Sequence, residues 1–135
     1  MSHKYVLDSC AIIAFLYGEQ GKDAVKDLLN GDNEVYMHSV NVLEVYYDAI
    51  KRIESNKADL FLKWIFNDSP IKILHEITEN TIRDAGYFKS AYKISLGDSF
   101  VLATAKLQNA KIISSDHHEF DIIEKQENIN FLWIR

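Results

Sequence analysis

The chain is poor in the residues that staple or interrupt a polypeptide: of 135 residues one is cysteine, one is proline and five are glycine. Cys10 has no partner for an intramolecular disulfide, and no paired-cysteine spacing exists that could hold zinc. A disulfide-stapled secreted scaffold is thereby excluded, and an intracellular, cytoplasmic protein is expected. With 47% hydrophobic and 26% charged residues, the composition also excludes a disordered or low-complexity chain. No run approaches the roughly 20 apolar residues that a bilayer span requires, and residues 1–5 lack the layout of a signal peptide. No membrane partner is expected. Basic charge is scarce as well, with 15 Lys and Arg against 20 Asp and Glu and a net charge of −5. A broad basic face for gripping nucleic acid is therefore excluded, and any such contact must be local or bridged by metal. The length suits a single domain, residues 1–135, with one sizeable core.

What is present alternates between short apolar runs and longer stretches of helical spacing. Tyr5-Val6-Leu7 reads as a first strand feeding a helix from Ser9 to about Tyr17, and Gly18 and Gly21 bracket a turn. Residues 23–30 form a second helix and residues 34–37 a strand. Ser39 is an N-cap for a long helix carrying Val40, Leu43, Tyr47, Ile50 and Ile53, with Glu44 on its flank. Asn56 ends that helix. Leu60, Phe61, Trp64 and Ile65 give the next one, over residues 58–66, an apolar face that stops before Asp68-Ser69-Pro70. A strand at 71–74 is followed by a helix at 79–92 with Ile82, Ala85, Tyr87 and Phe88 inside. Asp98 starts an Ala-rich helix through Leu107, and strands follow at 111–114 and 130–134. This alternation predicts an α/β fold: a three-layer α/β/α sandwich with a central, mostly parallel sheet.

In such a sheet the strand ends and the starts of the following helices share one edge, where open α/β proteins bind ligands. Asp8 and Asp116 are expected there, and Asp98 and Glu44 can point at it. Singly, each aspartate has a plain explanation as an N-cap or Asx-turn residue. Glu44 does not, because a carboxylate on a half-buried helix flank costs several kcal/mol unless paired, and no Lys or Arg neighbours it at helical spacing. Converging carboxylates repel one another, so either some take up protons or a divalent ion neutralises them. Hard oxygen ligands favour Mg²⁺ or Mn²⁺, and Mg²⁺ is usually shared between carboxylates, water and a substrate phosphate.

The motifs Val6-Leu7-Asp8-Ser9, residues 39–44, Leu96-Gly97-Asp98-Ser99-Phe100-Val101-Leu102-Ala103-Thr104-Ala105, and Ile113-Ser114-Ser115-Asp116 followed by Phe120 resemble, in order and spacing, a PIN-domain ribonuclease. The likeness covers nearly the whole chain and is greatest to the VapC-type toxins of toxin–antitoxin pairs. It implies a PIN-like fold and metal-dependent endoribonuclease activity on RNA. It also implies a cognate antitoxin and a homodimer as partners. By the same resemblance Asp8, Glu44, Asp98 and Asp116 form the catalytic cluster that holds Mg²⁺ or Mn²⁺, with Ser115 helping to orient it. Gly97 departs from the pattern, where alanine is the expected residue.

Other residues admit plainer readings. His117 and His118 read as solvated turn histidines, and Cys10, lacking an adjacent base or cation, as a small packing hydrophobe. Tyr87, Lys89, Tyr92 and Lys93 either stack bases and neutralise phosphates or divide between core and solvent. Trp64, Phe61 and Ile65 divide between core and an interface, to which the resemblance leans. Two other readings stay open, an RNA-processing nuclease outside a toxin system and a catalytically silent binding module. A phosphoacceptor receiver domain would need an aspartate closing a central strand and a later lysine, which His75 and Ser114-Ser115 do not supply.

Overall fold

The computed structural model describes residues 3–52 and 55–135. Its centre is a five-stranded parallel sheet of β1 (Lys4–Leu7), β2 (Glu34–His38), β3 (Lys72–Leu74), β4 (Lys111–Ser114) and β5 (Phe131–Trp133). The spatial order is β3-β2-β1-β4-β5, every neighbouring pair being parallel. The helices are α1 (Ser9–Tyr17), α2 (Lys22–Asn30), α3 (Ser39–Arg52), α4 (Ser55–Lys63), α5 (Glu79–Ala91), α6 (Leu96–Gln108) and α7 (His117–Gln126). A π-helical turn, Trp64–Asp68, continues α4.

The period of two in a strand explains the layers. Leu7, Val35, Met37 and Ile113 face one side and pack with Ile12, Val25, Val42, Val45, Phe61 and Ile65 from α1 to α4 and the π-helical turn. Val6, Tyr36 and Ile112 face the other and pack with Phe88, Val101, Leu102, Phe120 and Ile123 from α5 to α7. A sheet covered on both faces needs apolar residues at consecutive strand positions, which is why these strands read as continuous apolar runs. The three-layer α/β/α arrangement expected from the alternation is the one observed. None of the described helices is long and apolar enough to cross a membrane.

Several helix faces differ from expectation. On α3 the buried positions are Asn41, Val42, Val45 and Ala49, while Leu43, Tyr47 and Ile50 are exposed by 58%, 49% and 45%. The helix carries two apolar stripes, and the one built of smaller and β-branched side chains approaches the sheet. Ile53, expected on the stripe with Leu43, lies outside the described residues. Ile82 and Tyr87 point outward from α5, leaving Thr81, Ala85 and Phe88 inside. Phe61 and Ile65 are core residues and not an interface, whereas Leu60 is exposed. Helix α6 begins at Leu96, with Ser95 as N-cap and Asp98 in its first turn. Between β4 and β5 stands α7, whose first residues are His117 and His118; it is not among the expected helices, because its two buried side chains, Phe120 and Ile123, make only a short apolar signal.

Candidate active site

The sheet order reverses at β1: β2 and β3 lie to one side of it, β4 and β5 to the other. The crevice beyond the carboxyl ends of β1 and β4 is therefore the switch point where an open α/β sheet offers a site. Asp8 follows β1, and Ser114 closes β4 ahead of Asp116.

Asp8 is the N-cap of α1 and is 2% exposed. The Ser9 N–H donates to its Oδ1 at 2.8 Å. The Ser114 hydroxyl donates to Oδ2 at 2.9 Å and the Cys10 thiol to the same oxygen at 3.1 Å. Ser114 Oγ in turn accepts the Asp116 N–H at 3.0 Å, so one hydroxyl ties Asp8 to the backbone that carries Asp116. Ser115, expected to orient the site, instead donates from its N–H and its hydroxyl to Cys10 Sγ at 3.5 Å; Ser114 takes the orienting position. Cys10 is likewise more than a packing hydrophobe. Burial and the charge of Asp8 push its thiol up to about 12, which keeps it a protonated donor.

Asp98 occupies the third position of α6, its N–H donating to the Ser95 hydroxyl at 3.1 Å. It is half-buried, and burial followed by the charges of Asp8 and Asp116 pushes its carboxyl up to about 7. Asp8 is pushed up to about 6, chiefly by burial and secondarily by Asp116, against the lowering effect of its Cys10 and Ser114 hydrogen bonds. The three aspartates thus act on one another as like charges. Asp116 is also a helix cap, accepting from the Glu119 N–H at 3.2 Å.

Glu44 reaches this region from the other side. Its Oε1 accepts from Asn41 Nδ2 at 2.9 Å, and the same Nδ2 donates to the Gly97 carbonyl at 3.0 Å. A Cβ on Gly97 would collide with the Glu44 carboxyl group; the glycine that departed from the sequence pattern is what admits Glu44 to the first turn of α6, beside Asp98. Asn41 is completely buried, and its Oδ1 has no donor. Such an orphaned acceptor costs about 1–3 kcal/mol, so stability does not explain the residue. Helix position was a usable signal for both supports, since Ser95 precedes Asp98 by three residues and Asn41 precedes Glu44 by three.

Among the described residues no Lys, Arg or His forms an ion pair with Asp8, Glu44, Asp98 or Asp116. Nor do three His, Cys, Asp or Glu side chains there converge as a ready-made metal cage. The donor set nevertheless suits a hard divalent cation: it is carboxylate oxygen throughout, without a cationic partner among the described residues, and Asp8 and Asp98 are electrostatically coupled to Asp116. Mg²⁺ commonly binds to one or two carboxylates and keeps several waters, so a closed cage is not its requirement.

The histidines stand apart from this chemistry. His117 bonds Asp121 through Nδ1 and the Arg135 carbonyl through Nε2, both at 2.8 Å, and stacks on Trp133; it is solvent-exposed as expected, but it opens α7 and fastens β5 to it where a free turn residue was expected. His118 is almost fully exposed. The Tyr87 and Tyr92 hydroxyls both donate to Glu127 Oε2, at 2.7 and 2.6 Å, which holds α5 and its C-terminal cap against the end of α7.

Comparison with known proteins identifies the family and the fold. The PIN domain family model matches residues 5–126. A toxin–antitoxin complex from Klebsiella pneumoniae contains a chain with 17% identity and a TM-score of 0.71, with 97% of this chain and 98% of that one covered. DNA-bound VapBC from Salmonella typhimurium superposes with a TM-score of 0.75 at 14% identity, covering 100% of both chains. A Sarcin-Ricin loop cleaving VapC toxin from Mycobacterium tuberculosis gives a TM-score of 0.63 at 14% identity, over 79% of this chain and 85% of that one. No curated protein sequence matches. At such identities the solved structures speak for the fold, and the family model, spanning most of the chain, supplies the membership: the chain belongs to the PIN domain family.

Proposed function

We propose that this chain is a single-domain, Mg²⁺- or Mn²⁺-dependent endoribonuclease, the toxin of a type II toxin–antitoxin pair, working in the cytoplasm. Asp8, Glu44, Asp98 and Asp116 are its metal ligands and catalytic acids. The observation that carries the reading is the set of electrostatically coupled aspartates at the switch point of a PIN-family sheet, with no cationic partner among the described residues. When bound, a divalent ion supplies a water of lowered pKa and charge stabilisation for the phosphate under attack. The chain's own residues set the stage. Ser9, Cys10 and Ser114 hold Asp8 in one orientation through three donors. Asp98 sits in the first turn of α6, where the helix dipole favours negative charge. Both aspartates, raised above the usual carboxylate range, release their protons on pairing with a cation.

RNA is the proposed substrate because the chain belongs to the PIN domain family and resembles VapC toxins, one of which is Sarcin-Ricin loop cleaving; a negatively charged chain without a broad basic face would meet its phosphates through a bridging ion. The similarity to VapBC and other toxin–antitoxin structures supports a cognate antitoxin as partner, and the family resemblance carries the proposal of a homodimer. Exposed apolar side chains on α3 and α4, including Leu43, Tyr47, Ile50 and Leu60, are compatible with such contacts.

The test is cleavage of labelled RNA and of DNA of matching sequence by purified protein with Mn²⁺. Asp8→Asn is expected to abolish RNA cleavage while retaining the circular dichroism spectrum and a cooperative melt. A folded Asp8→Asn protein with full activity, or cleavage of DNA alone, contradicts the assignment.

A further inference from the structure

We propose that Asn41 and Gly97 form a dedicated seat for the Glu44 carboxylate, and that these positioning residues deliver Glu44 to the metal centre. The inference rests on the reading of Glu44 as part of that centre and names how this chain holds it there. Glu44 projects from α3, whereas Asp98 belongs to α6, so the two acids keep a fixed relation only if something couples the helices at that level. Asn41 does so. Its Nδ2 turns one hydrogen bond to Glu44 Oε1, at 2.9 Å, and the other to the Gly97 carbonyl, at 3.0 Å. The amide orientation follows from the partners, since both are acceptors and only the NH₂ group satisfies them.

That orientation leaves Asn41 Oδ1 buried without a donor. A side chain kept in the core with one polar atom unsatisfied is poorly explained by packing, and well explained by the two acceptors that it joins. Gly97 is the second half of the seat. It is buried inside a helix, where glycine is unfavourable relative to alanine, and its backbone needs no left-handed conformation. What it provides is space, because a Cβ there would overlap the Glu44 carboxyl group. The glycine and the asparagine thus answer the same need, one by leaving space for the carboxylate and the other by donating to it.

The experiment is Mn²⁺ titration by calorimetry on wild type, Gly97→Ala, Glu44→Ala and the Gly97→Ala/Glu44→Ala double variant, each with a thermal melt. Gly97→Ala is expected to weaken Mn²⁺ binding by about tenfold or more, the scale seen when residues that orient metal ligands are removed. In the Glu44→Ala background the same change is expected to leave affinity where it was and to leave the melting temperature equal or higher, because the carboxylate with which the methyl collides is gone. Asn41→Ala, tested alone and with Glu44→Ala, carries the same comparison should Gly97→Ala not fold. Wild-type Mn²⁺ affinity in Gly97→Ala, or an equal loss in both backgrounds, overturns the seat while leaving the metal centre standing. Wild-type affinity in Glu44→Ala overturns both the seat and the place of Glu44 in the centre.

Discussion

At the scale of single residues, Asp8 and Asp98 carry the strongest physical signature in the molecule, each raised far above the ordinary carboxylate range by burial and by its acidic neighbours. The folded, metal-free chain therefore holds protons that the unfolded chain has already released, and stability falls as pH rises from the unfolded value through about 6 for Asp8 and about 7 for Asp98. In EDTA, the unfolding free energy is expected to drop between pH 5 and pH 8 by on the order of 2–3 kcal/mol for the coupled pair, discounted for the partial exposure of Asp98. Urea denaturation across that range measures it, with Asp98→Asn expected to flatten much of the slope. A stability that rises with pH in that window contradicts the electrostatic account. The four acids were legible in the sequence because each stands where one element gives way to the next or breaks an apolar stripe. Their supports were legible only in part: Asn41 stands three residues before Glu44 and Cys10 two after Asp8, but the contacts of Ser114 with Asp8 and of Asn41 with Gly97 join elements that spacing does not relate, and Ser114 differs from Ser115 only in which face of a strand end it occupies.

At the scale of elements, α3 shows how a helix can mislead. Val40, Leu43, Tyr47 and Ile50 make a plausible buried stripe by spacing, yet the chain buries Val42, Val45 and Ala49 together with Asn41. Larger side chains on the outer stripe gave it the stronger hydrophobic signal; the smaller ones fit the close approach to the sheet. Val45→Ala is accordingly expected to cost about 1–3 kcal/mol, as buried large-to-small changes do, whereas Leu43→Ala is expected to stay within about 0.5 kcal/mol. Chemical denaturation of both decides which stripe faces the core, and the opposite ranking would return the helix to the face that its sequence suggests. Strands were the more readable elements, since β1, β2 and β4 are covered on both faces and carry uninterrupted apolar residues. Helix α7 was hidden because Asp116, its cap, reads equally well as the end of a strand motif, and only Phe120 and Ile123 mark its buried side.

At the scale of the whole molecule, one sheet order does most of the organising. With β1 in the middle and all strands parallel, the end of β1, the end of β4 and the first turn of α6 come to one edge, and three aspartates distant in sequence come within electrostatic reach. On the proposed reading, a cation lets a negatively charged chain with such an edge meet a phosphate, which joins fold, charge and chemistry. The most direct test is the rate of cleavage of a defined RNA as Mn²⁺ is titrated into EDTA-treated protein, in wild type and in Asp98→Asn. The account predicts no cleavage without the metal, a saturable rise with it, and no rise in Asp98→Asn. RNA cleavage that persists in EDTA, or that Asp98→Asn supports at the wild-type rate, would contradict it.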